Sequence, residues 1–228
     1  MEFVERALRP FWRDTGICEP LLFIQKQPDA RPSASLLFAP DKVFTIAGAN
    51  RRETFQKGRD YIVDAANKVV TLPEGSRIPF LTTETLYPLM TSETPKIGRQ
   101  SGDKTRGIYF DNAAGYTDLH VEITYRHAAD AWDGPVPAFA GESLPRTIEK
   151  LDKHEPVRLF LIGDSISEGY NASKFTQSPP GCPPYGELVA RGLETKFGSR
   201  GAFTNYAVAG WSADRGLRLV TEKNLGAE

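Results

Sequence analysis

Residues 158–173 read RLFLIGDSISEGYNAS: a greasy run, then Gly163-Asp164-Ser165, then small and polar residues. The question they pose is whether Ser165 is a nucleophile held at the end of a strand or a serine in an ordinary turn. Val157 to Ile162 is an almost unbroken apolar run of strand length, as expected for a parallel strand covered on both faces. Further along, PYGELVARGLETKF (184–197) puts Tyr185, Leu188, Val189, Gly192, Leu193 and Phe197 on one helical face. Pro184 stands at its start and Gly198 past its end. AFTNYAVAG (202–210) reads as a second strand ending in glycine. Ser212 is placed to cap a helix over 213–223, with Asp214 in the first turn where the helix dipole favours an anion. Strand, helix, strand, helix predicts a parallel sheet with right-handed crossovers, whose reactive groups collect at the carboxyl ends of the strands. Ser165 stands at that edge, where Gly163 allows a sharp turn and Asp164 can accept hydrogen bonds from loop amides.

The sequence ahead of this region has a different texture. LLFIQ (21–25), SLLFAP (35–40), KVFTIAG (42–48), DYIVD (60–64), KVVTL (68–72), GIYFDN (107–112) and DLHVEITYRH (118–127) are short and rich in β-branched and aromatic residues. In the last of them Leu119, Val121, Ile123 and Tyr125 alternate with His120, Glu122, Thr124 and Arg126, the period of an antiparallel strand with one wet face. DYIVDAANKVVTL predicts a hairpin turning at Ala65, Ala66 and Asn67. Such strands at these spacings predict an all-β sandwich, jelly-roll-like, over residues 1–140. A Pro- and Gly-punctuated connection from about residue 134, with a short helix at 146–153, predicts a linker over 141–156. The α/β portion then occupies 157–228.

Composition bounds the function. Among 228 residues, 40% are hydrophobic and 11% aromatic, enough for one large core or two modest ones. The formal net charge of -1, with Lys and Arg spread along the chain, argues against nucleic acid or an anionic membrane as the main partner. No stretch approaches the roughly 18 apolar residues of a membrane span. The opening MEFVERALRPFWRD carries charges where a signal peptide needs an apolar core, which predicts a cytoplasmic protein, or a secreted or periplasmic one had a leader been removed. Cys18 and Cys182 match no metal or redox spacing, so both are expected to be buried or unpaired thiols. No metal cluster, phosphate loop or dinucleotide fingerprint occurs.

The motifs around Ser165 resemble those of the SGNH, or GDSL, hydrolases. Gly163, Asp164, Ser165, Ile166 and Ser167 match that family's first block after a hydrophobic strand. Asn205 to Gly210 match the second, a glycine closing the next strand after an Asn-x-Ala run. The tripeptide alone is a weak signal. Placed after an apolar strand, with the second block about 45 residues on, roughly as a βαβ unit requires, it is a fairly strong match. The resemblance implies a serine esterase with no metal or organic cofactor. Ser165 would be the nucleophile, and the backbone N–H groups of Ser165 and Gly210 the oxyanion hole, with Gly163 and Asp164 shaping the supporting loop. The bland readings are a turn serine at 165 and a strand-to-helix glycine at 210. Trp211 could face a sugar ring or simply pack, and the four-proline loop 174–186 could wall the site or merely connect.

The family's remaining blocks, Gly-x-Asn-Asp and a late Asp-x-x-His, do not occur here. All three histidines precede the serine: His120 lies on the wet face of its strand, His127 ends that strand, and His154 stands before the strand whose far end carries Ser165. A strand from 157 to 163 spans roughly 20 Å, whereas a general base must come within about 3 Å. In the fold the resemblance implies, the first strand lies between the second and a third, which would leave an open edge here. A companion polypeptide, from a split, cleaved or truncated protein, is therefore expected to complete the α/β part. Three functions follow: an esterase removing acyl groups, foremost acetyl, from a small acylated or carbohydrate substrate; a carbohydrate-binding sandwich with an inactive hydrolase portion; and a lipase or thioesterase.

Overall fold

The computed structural model describes residues 8–13, 15–111 and 115–225, and of Tyr116 only the backbone. The chain divides into two compact units. One comprises Pro10–Gly134 with Thr176–Pro180; the other comprises Pro135–Phe175 and Gly181 onward, with the N-terminal residues through Arg9. The division falls at Pro135, ahead of the expected linker at 141–156, and the helix of that segment belongs to the second unit.

The first, β-rich unit contains β1 (Gly16–Leu22), β2 (Ile24–Gln25), β3 (Ser33–Ser35), β4 (Lys42–Gly48), β5 (Ile62–Asp64), β6 (Val69–Thr71) and β7 (Leu81–Thr82). After β7 come a one-turn helix α1 (Thr83–Leu86), β8 (Lys96–Ile97), β9 (Ile108–Tyr109), a short helix α2 (Gly115–Leu119) and β10 (His120–Arg126). An antiparallel sheet runs in the order β1-β10-β4, and a five-stranded mixed sheet in the order β5-β6-β3-β2-β7. A single cluster of buried side chains draws on both: Leu21, Ile46, Val121, Ile123 and Tyr125 from the first, Phe23, Val70 and Leu72 from β2 and β6 or their ends. The alternation along β10 supplies the reason. Val121, Ile123 and Tyr125 are buried, while His120, Glu122 and Thr124 between them keep partial access to water.

Two polar anchors sit in this unit. Asp60 is fully buried, and its carboxylate accepts from the guanidinium groups of Arg77 and Arg59 and from the Gln56 amide. The Tyr125 hydroxyl donates to Glu19 Oε2 at 2.7 Å and accepts from the Phe38 amide at 3.1 Å. That second contact explains why the expected strand 35–40 is only Ser33–Ser35. The Leu37 amide goes to the Glu19 carboxylate and the Phe38 amide to Tyr125, so side chains satisfy donors that a sheet ladder would otherwise take. The expected strand at 107–112 shrinks to β9, and Asn112 lies outside the described residues. The hairpin forms between β5 and β6, with Asp64 accepting from the Asn67 amide in the turn.

In the second, α/β unit, α3 (Pro145–Asp152) leads to β11 (Leu159–Leu161) and the one-turn helix α4 (Ser165–Glu168). After these come α5 (Tyr185–Phe197), β12 (Phe203–Asn205) and α6 (Ala213–Lys223). β11 and β12 pair in parallel, with Leu159 opposite Phe203 and Leu161 opposite Asn205. Where the strands enter this pair, Gly201 approaches the Val157 backbone so closely that a Cβ would stand 1.5 Å from the Val157 carbonyl oxygen. α5 stops at Gly198, whose left-handed φ of 65° lets its N–H return to Glu194. It packs on the sheet through Gly186, where a Cβ would meet Leu161 at 2.5 Å. Ser212 holds the N-cap position of α6 with extended backbone angles, yet its hydroxyl donates to the Asp214 carboxylate instead of accepting a helix amide. No helix among the described residues is long and apolar enough to cross a membrane.

Candidate active site

β11 and β12 both end at one edge of their small sheet, and the two loops that leave it are laced together. Tyr206 N–H donates to Leu161 C=O at 2.8 Å, and Val208 N–H to Gly163 C=O at 3.1 Å. The Asn205 side-chain amide donates to Ser167 C=O at 2.9 Å, while its oxygen accepts from Ala207 N–H at 2.9 Å. Glu168 Oε2 accepts from Ala209 N–H at 2.6 Å. The expected nucleophile and the expected oxyanion glycine thus lie on neighbouring loops.

Within the first loop, Asp164 is the N-cap of α4, its carboxylate accepting from the Ile166 amide at 3.0 Å. The cap makes Ser165 the first residue of the helical turn. Its hydroxyl and its N–H make no hydrogen bond among the described residues, and its side chain is half-buried. Gly163 answers to a close approach: a Cβ there would lie 2.3 Å from the Ser167 hydroxyl oxygen. Ser167 in turn shares a hydrogen bond of 2.8 Å with the Tyr185 hydroxyl. At Gly169 a φ of 116° ends the turn.

In the second loop Trp211 N–H donates to Val208 C=O at 3.1 Å and Gly210 has a φ of 78°, while Ala209 has no positive φ. These are the marks of a type II turn over residues 208–211. Gly210 suits the position because a left-handed φ strains any residue with a Cβ. The space around that missing Cβ is open, with no protein atom within 4 Å. From Tyr206 to Trp211 every amide N–H donates to an acceptor except that of Gly210.

A cleft of about 520 Å³ opens beside these loops, lined by Gly163, Asp164 and Ser167 on one side and Trp211, Ser212 and Gly216 on the other. Ser165 and Gly210 are not among its lining residues. The loop 174–186 divides between the two units, Thr176–Pro180 going with the β-rich one.

The histidine of this unit, His154, does not stand at this edge. His120 and His127 belong to the β-rich unit, and His127, expected at an edge or surface, is instead buried and stacked on Phe38 at 3.9 Å. Its place is explained by β10, which carries every second residue inward through Tyr125 and on to 127. His154 precedes β11, and its Nδ1 bonds Phe197 C=O at 2.5 Å at the far end of α5. Neither Cys18 nor Cys182 forms a disulfide. Among the described residues no group of three or more His, Cys, Asp or Glu side chains converges to hold a metal ion. The contacts of Glu168 and Asn205 are the part of the site that sequence reading missed. Their partners lie 41 and 38 residues away, and no local pattern signals them. No protein-family model, curated protein or solved structure matches this chain.

Proposed function

We propose that the chain carries the acyl-accepting half of a serine ester hydrolase. The observation that carries this reading is the uncommitted Gly210 N–H, alone of its loop, on a turn tied to the loop that bears an uncommitted Ser165 hydroxyl and N–H. A loop that satisfies every amide but one has that one available for a charge that develops elsewhere. In the reaction, Ser165 Oγ bonds to the ester carbonyl carbon while its proton passes to a general base. The carbonyl oxygen, now negative, is held by the N–H groups of Ser165 and Gly210. The alcohol then leaves with the proton, and water hydrolyses the acyl-enzyme by the same route.

The substrate we assign is an acetylated carbohydrate. The resemblance of the motifs around Ser165 to those of the SGNH hydrolases supports it. The general base comes from a companion polypeptide that covers the second edge of β11, which has one hydrogen-bonded neighbour, β12, among the described residues.

Incubation of the chain, together with its companion polypeptide, with p-nitrophenyl acetate followed by peptide mass spectrometry tests the reading. An acetyl adduct on the peptide holding Ser165, absent from Ser165→Ala, is the expected result, and its turnover should fall with longer acyl chains. Acetylation spread over lysines with Ser165 unmodified would overturn the proposal. Retention on immobilised acetylated polysaccharide without any Ser165 adduct would instead identify a binding module.

A further inference from the structure

We propose that Glu168 is the positioning residue for the Gly210 N–H, clamping it toward an ester carbonyl at Ser165; this deepens the ester-hydrolase reading and rests on it. In a four-residue turn the central peptide can face either way. Types I and II differ by turning that peptide over, through ψ of the second residue and φ of the third. In the turn 208–211 the central peptide joins Ala209 to Gly210 and carries the Gly210 N–H. Whether that N–H points to one side or the other therefore depends on how firmly the preceding peptide is held.

It is held twice. Its Ala209 N–H donates to the Glu168 carboxylate at 2.6 Å and its Val208 C=O accepts from Trp211 N–H at 3.1 Å, while the peptide before it is tied through Val208 N–H to Gly163 C=O. A bond to an ionised acceptor is shorter and roughly twice as strong as one between neutral groups. With Ala209 pinned from one side and Trp211 N–H pinned to Val208 C=O from the other, the φ of 78° at Gly210 leaves its N–H a single direction. Glu168 also belongs to the same helical turn as Ser165, being its last residue where Ser165 is the first. One rigid turn thus sets both the nucleophile and, through the carboxylate, the donor across from it. No ion pair involving Glu168 occurs among the described residues, so the Ala209 amide is what its charge serves.

The experiment compares ¹⁵N–¹H spectra and p-nitrophenyl acetate kinetics of the wild-type chain, Glu168→Ala, Glu168→Gln and Gly210→Ala, each with its companion polypeptide where one is required. Glu168→Ala should move the Ala209 and Gly210 amide resonances and leave that of Val121 in place. It should lower kcat about 10- to 100-fold, a part of what losing an oxyanion donor costs, with KM within about twofold. Glu168→Gln keeps an oxygen that accepts from Ala209, and should recover most of the loss. Gly210→Ala, which favours the type I turn with Glu168 intact, should lower kcat in the same way. A Gly210 resonance in Glu168→Ala that superimposes on the wild type overturns the inference, as does equal impairment by Ala and Gln. A wild-type chain without Ser165-dependent turnover defeats the ester-hydrolase reading instead, and the spectra alone then decide whether Glu168 holds the turn.

Discussion

The β-rich unit and the α/β unit are held by different physics. In the first, Phe23, Ile46, Val70, Val121, Ile123 and Tyr125 are wholly removed from water. In the second, the buried apolar side chains among the described residues are Leu151, Pro183 and Ala207, and α6 buries none of its residues. Ile166 and Leu217 stand 72% and 68% exposed. Each fully buried large side chain contributes about 2–3 kcal/mol, whereas each net hydrogen bond contributes about 1 kcal/mol. The loops around Ser165 are therefore fixed by direction rather than by weight of burial. Regions with little buried apolar surface open at low cost, which suits the substrate site proposed here.

The sharpest way to break this contrast is to cut the core. Phe23→Ala should cost about 4 kcal/mol in urea denaturation and unfold the β-rich unit at a lower midpoint. A loss below about 1 kcal/mol would show that its burial is not what holds that unit. The next largest effect is expected at Asp60. Arg77, and then Arg59 and the backbone amides, hold its carboxyl well below the ordinary carboxylate range against the opposing pull of burial. Asp60→Ala removes the buried acceptor of two half-exposed guanidinium groups, one of which keeps Glu53, and of the Gln56 amide, and should cost about 2 kcal/mol. A carboxyl that titrates low in the folded state adds stability that is complete above about pH 4 and is lost as pH falls into the range below. The wild type should therefore lose stability in acid more steeply than Asp60→Asn, as followed by tryptophan fluorescence against pH. The smallest change is expected at Ser212→Ala. Since the hydroxyl caps no helix amide, its loss should cost under about 0.5 kcal/mol, half the ordinary price of a cap.

What the sequence made legible follows the same division. The period-2 run at 118–127 predicted Val121, Ile123 and Tyr125 as the inward face of β10, because a half-buried strand writes its environment directly into alternation, whereas Leu119, expected on the same face, instead ends α2 and keeps partial access to water. The helix at 184–197 was legible from Pro184, Gly198 and the apolar stripe between them. The Gly-Asp-Ser loop and Gly210 could be placed at one sheet edge, because strand order and crossover hand leave little choice. What stayed hidden was non-local and polar. The amides of Leu37 and Phe38 end in the hands of Glu19 and Tyr125, and nothing near residues 35–40 announces it. Pro20 sits inside β1, opposite Glu122, in a position open to proline because β1 is an edge strand. The Glu168 contact has the same character: an exposed-looking acid whose partner is a backbone amide on another strand's loop.

Gly201 gives the far end of the α/β unit an unexpected say over the near one. The separation of the two parallel strands at their entry is gauged by bare backbone against the Val157 carbonyl, and the register of Leu159 with Phe203 begins two residues later. A methyl group at 201 would wedge the entry apart, and the displacement would be passed along two short strands to the loops bearing residues 165 and 210. In a saturation mutagenesis screen for the proposed activity, this chemically silent position should therefore tolerate substitution as poorly as Ser165.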